Sequence, residues 1–274
     1  MVKILENKMI VPNICTMTVS APEIARAVQP GQFVIVRVDE EGERIPLTVS
    51  DWDVEQGTIT IVYLLVGKTT QKLATMTVND TLATVAGPLG TPMEVDNFGK
   101  VVLIGGCYGI ASIYPIAKAL KEKGNRVTIL VEARSSYLLF WQQKLKAVSD
   151  QLIVITRDGS QGMPGHIGKL QGLLANAKTL PDRVIVNGCN YLMMRAAQET
   201  SPFKIRTIVS LNTLMIDGTG MCGVCRVTVS SSTKFACVDG PHFDAHEVDW
   251  DELTQRRKAY LVEERQTLRS SVPQ

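Results

Sequence analysis

Four short runs in the first hundred residues, 9–20, 31–38, 44–52 and 57–66, are rich in β-branched and apolar residues. Each is bounded by Pro, Gly or Asp, and their spacing predicts antiparallel strands of a barrel or sandwich. Pro30-Gly31 marks a turn before a strand that opens at Gln32. Beyond Asn97-Phe98-Gly99 the pattern changes. Residues 100–106 and 126–131 are continuous apolar runs of strand length, and 110–123 and 138–147 carry a helical period. Val154-Ile155, Val184-Ile185-Val186 and Ile208-Val209 continue the strands, so this region predicts a parallel sheet with helical crossovers. Residues 217–246 are rich in Gly, Cys and Thr and hold neither period, and 249–268 is charged and helix-prone. The pattern therefore divides into a β-domain (1–98), an α/β domain (99–213) and an irregular carboxy-terminal segment (214–274).

Composition narrows the function classes. The chain is 274 residues long, 45% hydrophobic and 20% charged, which suits two or three packed domains and excludes a disordered tail as the main feature. Lys plus Arg is 29 against 27 Asp plus Glu, and the longest basic run is Arg256-Arg257-Lys258. That balance supplies no electrostatic footprint for nucleic acid or an anionic membrane, so neither is expected as a partner. The amino-terminal residues carry Lys3, Glu6 and Lys8 without a continuous apolar core, which does not read as a secretory signal. The most apolar stretch, from Val101, is short of a membrane span and is broken by glycines and Pro115. A soluble, cytoplasmic chain is the expectation.

Three of the six cysteines are scattered (Cys15, Cys107, Cys189) and three are gathered as Cys222, Cys225 and Cys237. A tight odd cluster in an intracellular chain suggests metal rather than a disulfide scaffold. Gly218, Gly220 and Gly223 let the backbone fold around a metal and offer N–H groups to anionic sulfur. Three thiolates leave one ligand of a four-ligand site missing, and Asp217 is the nearest candidate. Zinc would accept that set as a structural clip. With Asp217 in the first position the spacing is D-x4-C-x2-C-x11-C, which follows the plant-type iron–sulfur pattern and favours a cluster over zinc.

A second signal follows the apolar run at 101–104. Gly105, Gly106 and Gly109 lie between that strand and a helix, where a pyrophosphate can approach backbone amides and the helix amino terminus. The bland alternative is a tight strand–helix connection without ligand. Glu132, closing the next strand, favours a ribose diol and hence NAD(H), whereas Arg134 two residues on would serve a 2′-phosphate and NADP(H).

These pieces occur in the order of ferredoxin-reductase-like electron-transfer flavoproteins. The chain resembles the small (alpha) subunit of NADH-dependent reduced ferredoxin:NADP oxidoreductase, also known as a sulfide dehydrogenase subunit, and more distantly the dihydroorotate dehydrogenase electron-transfer subunit. The matching passages are PGQFV at Pro30, ERIPLTVSD at Glu43, GKTT at Gly67, AGPLG at Ala86 and DGSQG at Asp158. The most specific are SLNTLMIDGTGMCGVCRVTV at Ser210 and KFACVDGPHFDAHEVDWDEL at Lys234. The resemblance implies an FAD-binding β-barrel, a Rossmann-like nucleotide domain and a carboxy-terminal [2Fe-2S] loop held by Asp217, Cys222, Cys225 and Cys237. It assigns FAD contacts to Arg44, Pro46, Leu47, Thr48, Val62, Tyr63, Gly67, Thr69 and Thr70. Aspartate in the first ligand position is the mark of the ferredoxin:NADP branch, since the dihydroorotate branch uses four cysteines.

The resemblance implies an oxidoreductase subunit without a catalytic acid–base pair, passing electrons between a nicotinamide, FAD and the cluster. A larger partner subunit with flavin and [4Fe-4S] clusters would complete an electron-bifurcating complex that serves ferredoxin. The alternatives are an electron-transfer subunit of a dihydroorotate or sulfide dehydrogenase, and a zinc-clipped nucleotide-binding module without turnover. Where the family has G-G-G-x-G this chain has Cys107-Tyr108 between glycines, and where it has Gly-Pro before Met-Met this chain has Cys189-Asn190.

Overall fold

A computed structural model describes residues 1–167, 170–175 and 179–270, so the last four residues of the predicted third domain lie outside the described residues. The amino-terminal strands are β1 (Val2–Val11), β2 (Ile14–Ser20), β3 (Phe33–Arg37), β4 (Arg44–Asp53), β5 (Thr58–Leu64), β6 (Thr81–Leu82) and β7 (Thr84–Leu89). They form one antiparallel sheet in the order β6-β1-β2-β5-β4-β3-β7. Its two edge strands follow one another through Ala83, whose N–H donates to Val38 O, so the sheet curls into a nearly closed barrel. Ile4, Met17, Val34, Ile59 and Leu73 fill it. Two helices that the β-pattern does not anticipate, α1 (Pro22–Ala27) and α2 (Lys68–Thr75), pack against it through Ile24, Ala25 and Leu73.

The second sheet holds β8 (Lys100–Gly106), β9 (Arg126–Ala133), β10 (Gln151–Thr156), β11 (Met163–Pro164), β12 (Arg183–Asn187), β13 (Arg206–Ser210) and β16 (His242–Asp244). The order is β11-β10-β9-β8-β12-β13-β16, parallel except for β16. Its helices are α3 (Gly109–Glu122), α4 (Gln142–Ala147), α5 (Leu170–Ala175) and α6 (Asn190–Thr200). The strand order reverses between β8 and β12, and ligands of open α/β sheets bind beyond the carboxyl ends of such a pair. The helix expected over 138–147 is shorter than its period suggests. Trp141 adopts a left-handed backbone (φ 54°) that stops any helix through it, so Leu139 and Phe140 are buried ahead of α4.

The carboxy-terminal segment is not structureless. Residues 217–246 contain the hairpin β14 (Arg226–Val229) and β15 (Ser232–Phe235), and β16 extends the nucleotide sheet from the segment's far side. The helix expected over 249–268 is two, α7 (Trp250–Arg256), capped by the Asp249 carboxylate on Glu252 N (2.8 Å), and α8 (Leu261–Ser270). One buried cluster joins all three regions, with Phe33 and Ile35 from the barrel, Val186 and Val209 from the sheet, and Cys225 and Cys237. Among the described residues no helix is long and apolar enough to cross a membrane.

Candidate functional site

The cysteine loop is shaped by left-handed glycines. Gly218 has φ 75°, and a Cβ there would lie 2.8 Å from Ile35 Cγ1 and 2.9 Å from Leu89 Cδ1, so the loop can seat on β3 and β7 only with glycine. The hairpin register pairs Arg226 with Phe235, and Ala236 N donates to Cys225 O (3.2 Å), which brings Cys225 and Cys237 side by side. Their sulfurs are 3.2 Å apart and buried. Burial first, and then the neighbouring Cys225 sulfur, pushes the Cys237 thiol up to about 12. Cys222 is exposed at the loop tip. The Asp217 carboxylate accepts N–H bonds from Thr219 (2.9 Å) and Cys222 (2.8 Å), and those amides hold it below the usual carboxylate range.

Thus the structure joins Cys225 to Cys237 and Asp217 to Cys222, while among the described residues no three potential ligands converge tightly enough to define a metal site by themselves. The donor set nevertheless fits a cluster. Two buried thiols pressed together are costly to ionise unless a cation takes the protons' place, which is the condition a thiolate-bound metal meets. His242 and His246 are engaged elsewhere, His242 with Ser210 and Gly31 and His246 with Ile205 O (3.1 Å).

On the barrel, β4 carries Arg44, exposed, with Pro46, Leu47 and Thr48 half-buried along the same strand. Thr69 Oγ1 donates to Glu43 Oε2 (2.7 Å), which draws the amino terminus of α2 against the start of β4 beside Arg44. Thr70 Oγ1 accepts from Val66 N and Gly67 N (both 3.1 Å) and so caps that helix from within. A Cβ on Gly67 would meet nothing within 4 Å. An Arg fork, free first-turn amides and an open cradle suit the diphosphate of a dinucleotide. Val62 is buried towards the nucleotide domain. Tyr63 is 1% exposed and turned into the barrel, donating to Asn7 Oδ1 (2.9 Å), so only its backbone faces outward to that groove.

At the β8/β12 reversal the glycines have packing reasons. A Cβ on Gly105 would lie 2.9 Å from Ile110 Cα, one on Gly106 2.7 Å from Leu192, and one on Gly109 2.1 Å from Asn187 O. The crevice also has polar atoms to offer, because Asn187 Oδ1 and Asn190 Oδ1 are buried without a protein partner. A nicotinamide dinucleotide fits there on that ground. Cys107 (φ 54°) and Cys189 flank it, and burial raises the Cys107 thiol. Both carboxylate oxygens of Glu132 are already engaged by the protein. The residue is buried, with Oε1 accepting from Arg157 Nη2 (3.1 Å) and Oε2 from Ile167 N (2.7 Å). Arg134 is exposed at the end of the same strand.

Sequence reasoning did not reach Tyr108. Its hydroxyl donates to Gly188 O (3.0 Å) and accepts from Asn212 Nδ2 (2.6 Å), and Arg257 donates to Asn212 O. This tie links both crevice loops to the chain entering the cysteine loop, and no local spacing announces it.

A barrel with a dinucleotide cradle, a doubly wound sheet and a cysteine loop between them define a ferredoxin-reductase-like electron-transfer oxidoreductase subunit. Residues 212–249 match the iron-sulfur cluster binding domain of dihydroorotate dehydrogenase B. The chain is 44% identical over 263 residues to the Thermotoga maritima homologue of the dihydroorotate dehydrogenase B (NAD(+)) electron transfer subunit, covering 96% of this chain and 93% of that one. It is 28% identical over 258 residues to the Enterococcus faecalis electron transfer subunit itself, covering 90% and 97%. A solved chain of NADH-dependent reduced ferredoxin-NADP oxidoreductase superposes with a TM-score of 0.93 at 42% identity, covering 98% and 96%. The ferredoxin NADP+ reductase of Neisseria gonorrhoeae shares the fold alone, with a TM-score of 0.61 at 18% identity, covering 74% and 90%. The chain belongs to the family of dihydroorotate dehydrogenase B electron transfer subunits and their homologues.

Proposed function

We propose that this chain carries electrons between a nicotinamide and a larger partner subunit, through FAD on the barrel and a [2Fe-2S] cluster in the cysteine loop. The observation that carries the reading is the contact of the loop with the flavin-side strands. Ile35 is the register partner of Pro46 on β4, and the same side chain meets Gly218 of the cysteine loop. Loop and groove therefore share Ile35 as a common neighbour, whose strand lies about 5 Å from β4. Bound in these places, a nicotinamide exchanges a hydride, an iron–sulfur cluster exchanges single electrons, and a flavin connects the two.

The chain's own residues bind and orient. Arg44, Gly67, Thr69 and Thr70 hold the FAD diphosphate, while Pro46, Leu47, Thr48, Val62 and the backbone of Tyr63 lie along its ring. Gly105, Gly106 and Gly109 admit the nicotinamide's pyrophosphate to α3, and Asp217, Cys222, Cys225 and Cys237 ligate the irons. We assign these three tasks to 1–98, 99–213 and 214–274, with β16 of the last segment lent to the nucleotide sheet. The partner is a larger flavin and [4Fe-4S] subunit that serves ferredoxin, and the complex bifurcates electrons, a flavin-based chemistry named for the NADH-dependent reduced ferredoxin-NADP oxidoreductase that the chain resembles at 42% identity. The work is cytoplasmic.

Anaerobically purified protein tests this. The expected result is FAD, about two irons and two acid-labile sulfides per chain, with an electron paramagnetic resonance signal on reduction. One zinc without sulfide would instead make the loop a structural clip. Co-purification decides the branch, since an FMN-binding dihydroorotate barrel in place of a [4Fe-4S] partner would overturn the ferredoxin reading.

A further inference from the structure

Between the chain entering the cysteine loop and α7 lies a cavity of about 480 Å³, and none of its lining residues is among those assigned above to flavin, nicotinamide or cluster. Three cations line it, Arg226, Arg256 and Arg257, together with Leu253, Tyr260 and Thr213. No carboxylate is among the described lining residues. Each guanidinium is anchored by one nitrogen to a backbone carbonyl: Arg226 to Gly223 O (3.4 Å), Arg256 to Val224 O (3.1 Å) and Arg257 to Asn212 O. A guanidinium has five N–H donors, so anchoring by one nitrogen fixes the group while leaving further donors for a ligand.

Thr213 also belongs to the wall, but it is only 6% exposed and its hydroxyl is closed off from the cavity space. Three positive charges without a counter-charge call for a polyanion, and Arg forks match phosphate oxygens two at a time. The apolar side chain of Leu253 and the Tyr260 ring give the same cavity a place for a flat group. A volume near 480 Å³ holds a ligand of that size.

We infer that this cavity binds a phosphate-bearing anion of the nucleoside diphosphate class, held by Arg226, Arg256 and Arg257. The two possible sources of the phosphate chemistry, inorganic pyrophosphate and a nucleotide, differ in their use of Tyr260. Calorimetric titration of the full-length protein loaded with FAD and cluster, in saturating NAD+, with ADP and separately with inorganic pyrophosphate, is the test. One binding event that persists beside NAD+ is expected. Tighter binding of ADP than of pyrophosphate assigns the site to nucleotides, and equal binding assigns it to phosphate alone; both support an anion site. Arg226→Gln, at an exposed side chain with one long backbone contact, should weaken binding at least about tenfold. Absence of binding by both probes, or binding that Arg226→Gln leaves unaltered, would overturn the assignment.

Discussion

Asp217 stands where two demands meet. Its oxygens accept the amides of Thr219 and Cys222, which shapes the cysteine turn, and each retains a lone pair for a metal. Substitutions separate the roles. Asp217→Cys keeps a ligand but replaces a hard oxygen with a soft sulfur, so iron content should hold while the midpoint potential moves, read by a titration followed with electron paramagnetic resonance. An unmoved potential would make Asp217 a loop cap only. The ligand candidates were legible because thiols and carboxylate lie within twenty-one positions and metal chemistry constrains their spacing. The partners of Glu132 were not legible, because Arg157 and Ile167 are 25 and 35 residues away and only the fold brings them to its carboxylate.

At the scale of elements, continuous apolar runs foretold the central strands β8 and β9, because strands buried on both faces leave that mark. Short elements escaped: α2 has eight residues, and each strand of the β14–β15 hairpin has four. Two glycines at helix starts show how geometry separates packing from binding. Gly109→Ala would drive a methyl to 2.1 Å from the backbone oxygen of Asn187, and should destabilise the chain by about 3 kcal/mol or more in urea unfolding. Gly67→Ala meets open space at an extended backbone angle (φ −147°), so flavin-free stability should change by less than about 0.5 kcal/mol. The same methyl occupies the cradle beside Arg44, and FAD retention on gel filtration should fall. Full FAD retention in Gly67→Ala would move the diphosphate elsewhere.

For the whole molecule, His242 is the pin through all three regions. It sits on β16, its Nδ1 accepts from Ser210 Oγ on β13 (2.8 Å), and its Nε2–H donates to Gly31 O at the mouth of β3 (3.2 Å). Gly31 has to be glycine here, since a Cβ would lie 2.3 Å from Nε2. Burial pushes the His242 pKa down to about 4, only partly opposed by the Gly31 carbonyl. The unfolded imidazole, titrating near 6.5, then binds a proton that the folded one refuses, so stability falls as pH drops from about 6.5 to about 4 and levels below that window. The full shift corresponds to at most about 3 kcal/mol, reduced by the ring's partial exposure. His242→Gln retains one donor and one acceptor without a titrating proton. It should start less stable at pH 7 because the longer amide cannot reproduce both contacts. Its urea midpoint should nevertheless change less than that of the parent protein between pH 6.5 and pH 4.5. Parallel pH profiles for the two proteins would mean that the acid sensitivity of the three-way junction arises from other groups.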